Sequence, residues 1–327
     1  MGIEPETDRK ASSGRNNSKE SSFAMSTAHP GDPRDELVDP LAAIEDWPAN
    51  NKAAALSRAN GIVQIKGDTD FVFQWASVTK LLTCLAVLVA VEEGTIALDE
   101  SAGPPGSTVR HLLSHASGLG PGIPAAASGR PASGYRSAED RQHATVPVGT
   151  RRIYSNTGFE ALAILLEDRA AIDFRNYLAE GVLQPLGLSS VSLRGSPAWG
   201  ASGTIGDLIR LAIEFQNPRL IARETLDEAT KVTFPGLPGV LPGFGLMETN
   251  DWGLGFEIKD SKRPHWTGRT NSPATFGHFG QSGSFLWVDP IAGVACASLA
   301  DKPFGSWAVE CWPELSDLVL ESVVSSE

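Results

Sequence analysis

Apolar residues are spaced unevenly along the chain, and their spacing predicts the elements. Residues 37–46 place Leu37, Leu41, Ala42 and Ile44 at helical intervals, which predicts a short amphipathic helix. Two β-rich runs, Lys52–Arg58 and Ile62–Lys66, flank Ala59-Asn60-Gly61, and an Asn-Gly turn between such runs predicts a hairpin. From Ser77 to Glu93 nearly every position is apolar, so this helix is expected to be buried on most faces and to stop at Gly94. Helical patterns recur at 108–114, 157–170, 173–183 and 204–215, the last opened by a Thr204–Asp207 cap. Strand character returns at Trp252–Ile258, Ser284–Val288 and Gly293–Leu299, and a final helix is expected from Trp307 to Val323. The stretches 102–150 and 233–246 are rich in Gly and Pro and read mostly as loops.

Strands at both ends of a helical middle predict an α+β fold. An antiparallel β-sheet, flanked by helices, is built from 36–76 and 250–327, with a mostly helical inserted domain at 77–249. A cleft between sheet and insertion is the expected place for a site. Residues 1–35 are polar and poor in apolar side chains, so they are expected to form a disordered tail, with Met25 as an alternative start.

Charge narrows the partners. Lys and Arg total 27 against 39 Asp and Glu, a net charge of -12, which disfavours nucleic acid and anionic membranes. The three cysteines, Cys84, Cys296 and Cys311, lie in apolar stretches with no CxxC spacing, which predicts buried free thiols and no metal site. No secretory leader is visible and the longest apolar run, Leu81 to Val91, is too short to span a bilayer. The expectation is a cytoplasmic protein, and oligomeric state is not legible.

Three groups of residues carry candidate chemistry. In Ser77-Val78-Thr79-Lys80, a serine and a lysine three apart share a helix face, and a lysine whose proton affinity is lowered can activate a serine hydroxyl. In Tyr154-Ser155-Asn156, the phenol can shuttle a proton and the amide can hold Lys80 and a substrate carbonyl. In Gly277-His278-Phe279-Gly280-Gln281-Ser282-Gly283, glycines let a strand edge approach a ligand, and a free N–H there can complete an oxyanion hole. Each alone has an ordinary structural reading: a helix cap, a buried tyrosine, a turn with an incidental histidine. Trp75, Trp252 and Phe279 are candidates to line the cleft or the core.

Taken in order, Ser-x-x-Lys, Tyr-x-Asn and His-x-Gly before a strand resemble the serine β-lactamase and penicillin-binding-protein superfamily, most closely class C β-lactamases and family VIII esterases. The segments His111–Leu119, Pro185–Leu188 and Trp252–Phe256 resemble family segments too. The resemblance implies Ser77 as acylated nucleophile, Lys80 as its activating partner and Tyr154 as general base and then acid. It further implies Asn156 as the group orienting Lys80 and substrate, the N–H groups of Ser77 and Gln281 as oxyanion hole, and no cofactor. One departure stands out: family members commonly carry Lys-Thr-Gly where this chain has His278-Phe279-Gly280. A histidine offers a substrate carboxylate a weaker anchor than a lysine. The expected function is therefore hydrolysis of small carboxylic esters. Alternatives are D-aminoacyl peptidase or weak β-lactamase chemistry on the same residues, or a non-catalytic binding role.

Overall fold

Pairing between the two ends of the chain organises the molecule. The computed structural model describes residues 39–121 and 142–324; the expected tail at 1–35, with Met25, lies outside the described residues, as does part of the 102–150 loop region. β1 (Lys52–Arg58) and β2 (Gly61–Gly67) form the expected hairpin. β1 then pairs antiparallel with β11 (Val294–Ala300), from Lys52↔Ala300 to Ser57↔Ala295. With β8 (Glu257–Ile258), β9 (Phe276–Gly280) and β10 (Ser284–Asp289) the six-stranded order is β2-β1-β11-β10-β9-β8, every pair antiparallel.

Side chains alternate between the two sheet faces. Ala54, Leu56, Phe285, Trp287 and Cys296 pack with Leu41 and Ile44 of a 3-10 turn (Pro40–Asp46) and with Trp312, Leu315 and Val319 of α7 (Ser306–Val324). Ala53, Ala55, Leu286, Val288, Ala295 and Ala297 face the other way, into the helical core. Of the amphipathic helix predicted at 37–46, the described part is a 3-10 turn at Pro40–Asp46, started by Pro40 and capped by the Asp39 carboxylate, which accepts from Leu41 N–H at 3.0 Å.

The helical core is built around α1 (Thr79–Glu92), in which every residue from Thr79 to Ala90 is buried. Around it lie α2 (Val109–Leu113), α3 (Asn156–Ala170) and α4 (Phe174–Leu178), the last continued by a π turn at Ala179–Leu183. α5 (Ile205–Gln216) was expected inside the insertion. It packs instead across β1, β2, β10 and β11, so the middle of the chain covers the sheet's second face. α6 (Arg223–Ala229), the three-stranded sheet of β3 (Phe73–Gln74), β5 (Ala201–Gly203) and β4 (Ser192–Leu193), and the hairpin of β6 (Gly239–Leu241) and β7 (Gly245–Met247) have no sequence-based counterpart.

The expected strand Trp252–Ile258 is realised only at its end. Gly255, at φ +82°, turns the chain so that its Cα side presses on Cys84 of α1, and the Cys84 thiol donates to Leu254 O at 2.9 Å. All three thiols are free; Cys84 and Cys296 are buried and Cys311 half-buried. Among the described residues no helix is long and apolar enough to cross a membrane.

Candidate active site

Ser77 stands where β3 meets α1. Trp75 is fixed from both ends: its N–H donates to Ala201 O at 2.9 Å and its ring N–H to Gly203 O at 3.2 Å. It is wholly buried, so of the three aromatics considered for the cleft it belongs to the core. The chain then passes through Ala76 at φ +44° into a 3-10 turn, Ala76–Val78. Ser77 therefore sits on a 3-10 turn and not in the α-helix, which begins at Thr79. With three residues per 3-10 turn, positions three apart eclipse, which keeps Ser77 and Lys80 on one side. Ser77 is half-buried and Lys80 is fully buried.

Lys80 Nζ donates to Asn156 Oδ1 and to Ala198 O, each at 2.7 Å. It lies 4.7 Å from the centre of the Tyr154 ring and 5.5 Å from that of Phe159. Burial drives its proton affinity well below the ordinary lysine value, and the Glu160 carboxylate only partly opposes this. The two carbonyl partners match the two N–H donors of a neutral amine and leave its lone pair over. Asn156 thus reaches Lys80 as the sequence predicts.

Tyr154 is half-buried, and its phenol is pushed above its usual proton affinity by desolvation and by the Glu257 charge, against the opposing effect of a hydrogen bond from Ser77. His278 on β9 lies on its far side, with Nε2 3.3 Å from the phenol oxygen. His278 Nδ1 is 2.7 Å from Phe279 O and must carry the ring proton, so Nε2 is the acceptor. Burial, with Lys80 adding repulsion, lowers His278 to about 3. The imidazole is neutral at physiological pH.

The His-Phe-Gly run, for which the sequence left open a strand edge or a turn, is a strand that lies against the Ser77 turn. Gly280 makes that approach possible. A Cβ there would stand 2.6 Å from Trp75 O and 3.1 Å from Ala76 Cβ, and would collide with Ser284 Oγ. Gln281 follows directly. Ser77, Tyr154, Leu241, Pro242, Trp252, Glu257, His278, Phe279 and Gln281 line one cleft. All the candidate residues are gathered there except Lys80 and Asn156, which support it from behind, and Gly280, which sets the strand's distance.

Several supporting groups carry no local signal. Buried Glu257 takes hydrogen bonds from His265 Nε2 at 2.9 Å and Trp266 Nε1 at 2.7 Å, and pairs with Lys262 at 3.4 Å. Lys262 and His265 overcome the cost of burial and hold this carboxylate ionised, at about 2. Arg152 spends its guanidinium on the carbonyls of Ser114, Thr233, Phe234 and Asn250. His115, at φ +57°, sits beneath Tyr154. Arg152 and His115 depend on partners far away in sequence, and the nearer partners of Glu257 follow no motif spacing. Among the described residues no cluster of three or more His, Cys, Asp or Glu is placed to hold a metal.

Comparison with known proteins gives a consistent family. The profile described as Beta-lactamase matches residues 51–310. A beta-lactamase from Mycobacterium bovis, known from its crystal structure, is 47% identical and superposes with a TM-score of 0.80 over 87% of this chain and 99% of its own. Escherichia coli AmpH, named as a D-alanyl-D-alanine-carboxypeptidase/endopeptidase, is 26% identical over 152 residues, 41% of this chain and 40% of its own length. The chain thus spans about two fifths of the curated relatives it matches. EstCE1, named as a hydrolase with promiscuous acyltransferase activity, shares the fold with a TM-score of 0.68 over 87% of this chain and 98% of its own, at 16% identity.

Proposed function

The chain belongs to the beta-lactamase family, and on that premise we propose that it hydrolyses small, uncharged carboxylic esters through an acyl-enzyme on Ser77. The observation that carries the preference is the charge of the cleft. No lysine or arginine is among its lining residues, His278 is held neutral, and the one charged lining group is the carboxylate of Glu257. A carboxylate beside the scissile bond, as in a β-lactam or a peptide C-terminus, meets no cation there. A neutral ester needs none.

In this mechanism Lys80, driven toward the free amine, receives the proton of Ser77. Tyr154 keeps its own proton at rest and relays, since its phenol is raised and hydrogen-bonded to both Ser77 and His278. This differs from the general-base role that the resemblance implies for Tyr154. Ser77 Oγ bonds to the ester carbonyl carbon, and the N–H groups of Ser77 and Gln281 take the oxyanion. The bond to the alcohol oxygen then breaks as the proton returns to it, and water repeats the sequence on the acyl-enzyme.

The test is turnover of p-nitrophenyl acetate, p-nitrophenyl butyrate and nitrocefin by wild type and Ser77→Ala. Ester turnover that vanishes in folded Ser77→Ala, with little nitrocefin cleavage, is the expected result. Turnover unchanged in that variant refutes the role of Ser77. A second reading, amide hydrolysis of D-aminoacyl substrates, draws on Glu257, whose charge suits a substrate ammonium. Faster release of p-nitroaniline from D-alanine p-nitroanilide than of p-nitrophenol from the esters would favour it.

A further inference from the structure

We infer that His115 is a positioning residue that sets the place of Tyr154. The inference rests on the proposed role of Tyr154, but its structural half is separately testable. His115 holds the backbone on both sides of that tyrosine: its own carbonyl accepts from Ile153 N–H at 2.9 Å, and its ring Nδ1 accepts from Ser155 N–H at 3.1 Å. Its ring also packs on the Tyr154 ring, with centroids 4.6 Å apart. One residue thus fixes the positions before, at and after the phenol.

The grip matters because Tyr154 lies outside regular structure. Residues 153–155 belong to no helix or strand, and α3 begins only at Asn156. Ladder bonds that would anchor a strand residue are missing at this point, and His115 supplies two of the acceptors instead.

The sequence position of His115 reinforces the argument. It follows α2 and its cap Ser114 in the left-handed region, at φ +57°. That conformation suits glycine or asparagine, and a histidine there is strained. A glycine would relieve the backbone but remove the Nδ1 acceptor and the ring. The ring is 1% exposed, wedged between Tyr154, Phe159 and Trp252, the last edge-on at 4.6 Å. Because Nδ1 accepts from a backbone N–H, the ring proton must be on Nε2, which has no hydrogen-bond partner. Every charged form is disfavoured: burial, helped by nearby Lys80, His278 and Arg152, holds the imidazole well below its usual proton affinity. His115 is therefore not an acid or base in the reaction but a neutral acceptor with a packed ring.

Two replacements separate this role from bulk packing. Asparagine presents Oδ1 at the place of Nδ1 and tolerates a left-handed backbone, whereas glutamine carries its acceptor too far out. The expected result for His115→Gln and His115→Ala is a kcat for p-nitrophenyl butyrate about 100-fold lower with KM within about threefold, the size of loss that an ångström of misplacement causes. His115→Asn is expected to recover at least a tenth of wild-type kcat with an unchanged pH profile. Amide exchange in labelled protein gives a readout independent of turnover: Ser155 N–H exchanges faster in Gln and Ala but stays protected in Asn. If wild type turns over no ester, the functional reading fails while the exchange pattern still decides the grip. Equal kcat in Asn and Gln variants, or an equally protected Ser155 amide in both, overturns the inference. Should the alanine variant not fold, the asparagine and glutamine pair still decides.

Discussion

Replacing Gly280 by alanine tests how closely β9 must approach the Ser77 turn. The new Cβ would stand 2.6 Å from Trp75 O and 3.1 Å from Ala76 Cβ, and would also collide with Ser284 Oγ. Relief to an ordinary contact of about 3.5 Å requires β9 to withdraw by roughly 0.5–1 Å. Local give is small. Gly280 pairs with Ser284 across β9 and β10, and Ser284 Oγ is itself committed to Trp75 O at 2.8 Å. Overpacking of this kind costs about 1–3 kcal/mol of stability. The larger effect falls on chemistry, because Gln281 N–H moves away from the position of the developing oxyanion, and loss of one such donor costs about 100-fold in kcat. Steady-state hydrolysis of p-nitrophenyl butyrate, beside urea unfolding, reads both effects. Gly206→Ala is the control: that position lies in α5, with its nearest neighbouring atom, Thr204 Oγ1, at 3.8 Å, so full activity and equal or greater stability are expected. A folded Gly280→Ala enzyme with kcat within threefold of wild type would refute the reasoning about strand approach.

Acid stability is the second prediction: His278 binds its proton at about 3 when folded and near 6.5 when unfolded, so stability is full above pH 6.5 and falls as pH drops toward 3. Its slope is about 1.4 kcal/mol per pH unit for that proton, His115 adds in the same direction, and urea midpoints between pH 7 and 4.5 that stay level would contradict it. Third, p-nitrophenyl hydrogen succinate should show kcat/KM at least about tenfold below the butyrate ester, since its carboxylate would lose water in a cleft whose lining holds no cation. That ratio should be flat from pH 6 to 9 because His278 has no proton to gain there, and a ratio that closes toward pH 6 would show an imidazolium in the cleft. Fourth, Arg152→Met leaves the carbonyls of Ser114, Thr233, Phe234 and Asn250 without their shared donor. A loss of about 3–5 kcal/mol in urea unfolding is expected, and a loss under 1 kcal/mol would mean that water replaces the guanidinium.

What could be read from sequence was local. The β1–β2 hairpin rests on Asn60-Gly61, α1 on an unbroken apolar run, and both Ser77–Lys80 and Tyr154–Asn156 on neighbours two or three apart. β9 stayed open between a strand edge and a turn because Gly277 and Gly280 look like turn residues. They are glycines for a different reason, since Leu286 O crowds the first and Trp75 O the second. The strands β3, β4 and β5 have two or three residues each, too few to show a period. α5 was legible as a helix opened by its Thr204 cap, but the surface it meets, drawn from both chain ends, was not. His115 was visible only as part of a segment resembling the family, and its grip on Ser155 spans 40 positions.

Burial moves four titratable groups near Ser77 the same way, toward their uncharged forms. Lys80, His115 and His278 lose proton affinity and Tyr154 gains it. The charge that remains at the wall, Glu257, is matched by Lys262. In the proposed reaction the charges that develop are then the oxyanion and the protonated Lys80, in a site of low dielectric where fixed N–H dipoles act most strongly on the oxyanion. This explains why the departure at position 278 concerns more than substrate choice. Lys80 and His278 already repel each other's protonated forms. A lysine at 278 would set a second cation facing Lys80 and Tyr154, offering a hold for a carboxylate while altering the proton affinity of both. With a neutral histidine there, the cleft forgoes that hold, and Tyr154 keeps an acceptor, His278 Nε2, that takes its hydrogen bond without taking its proton.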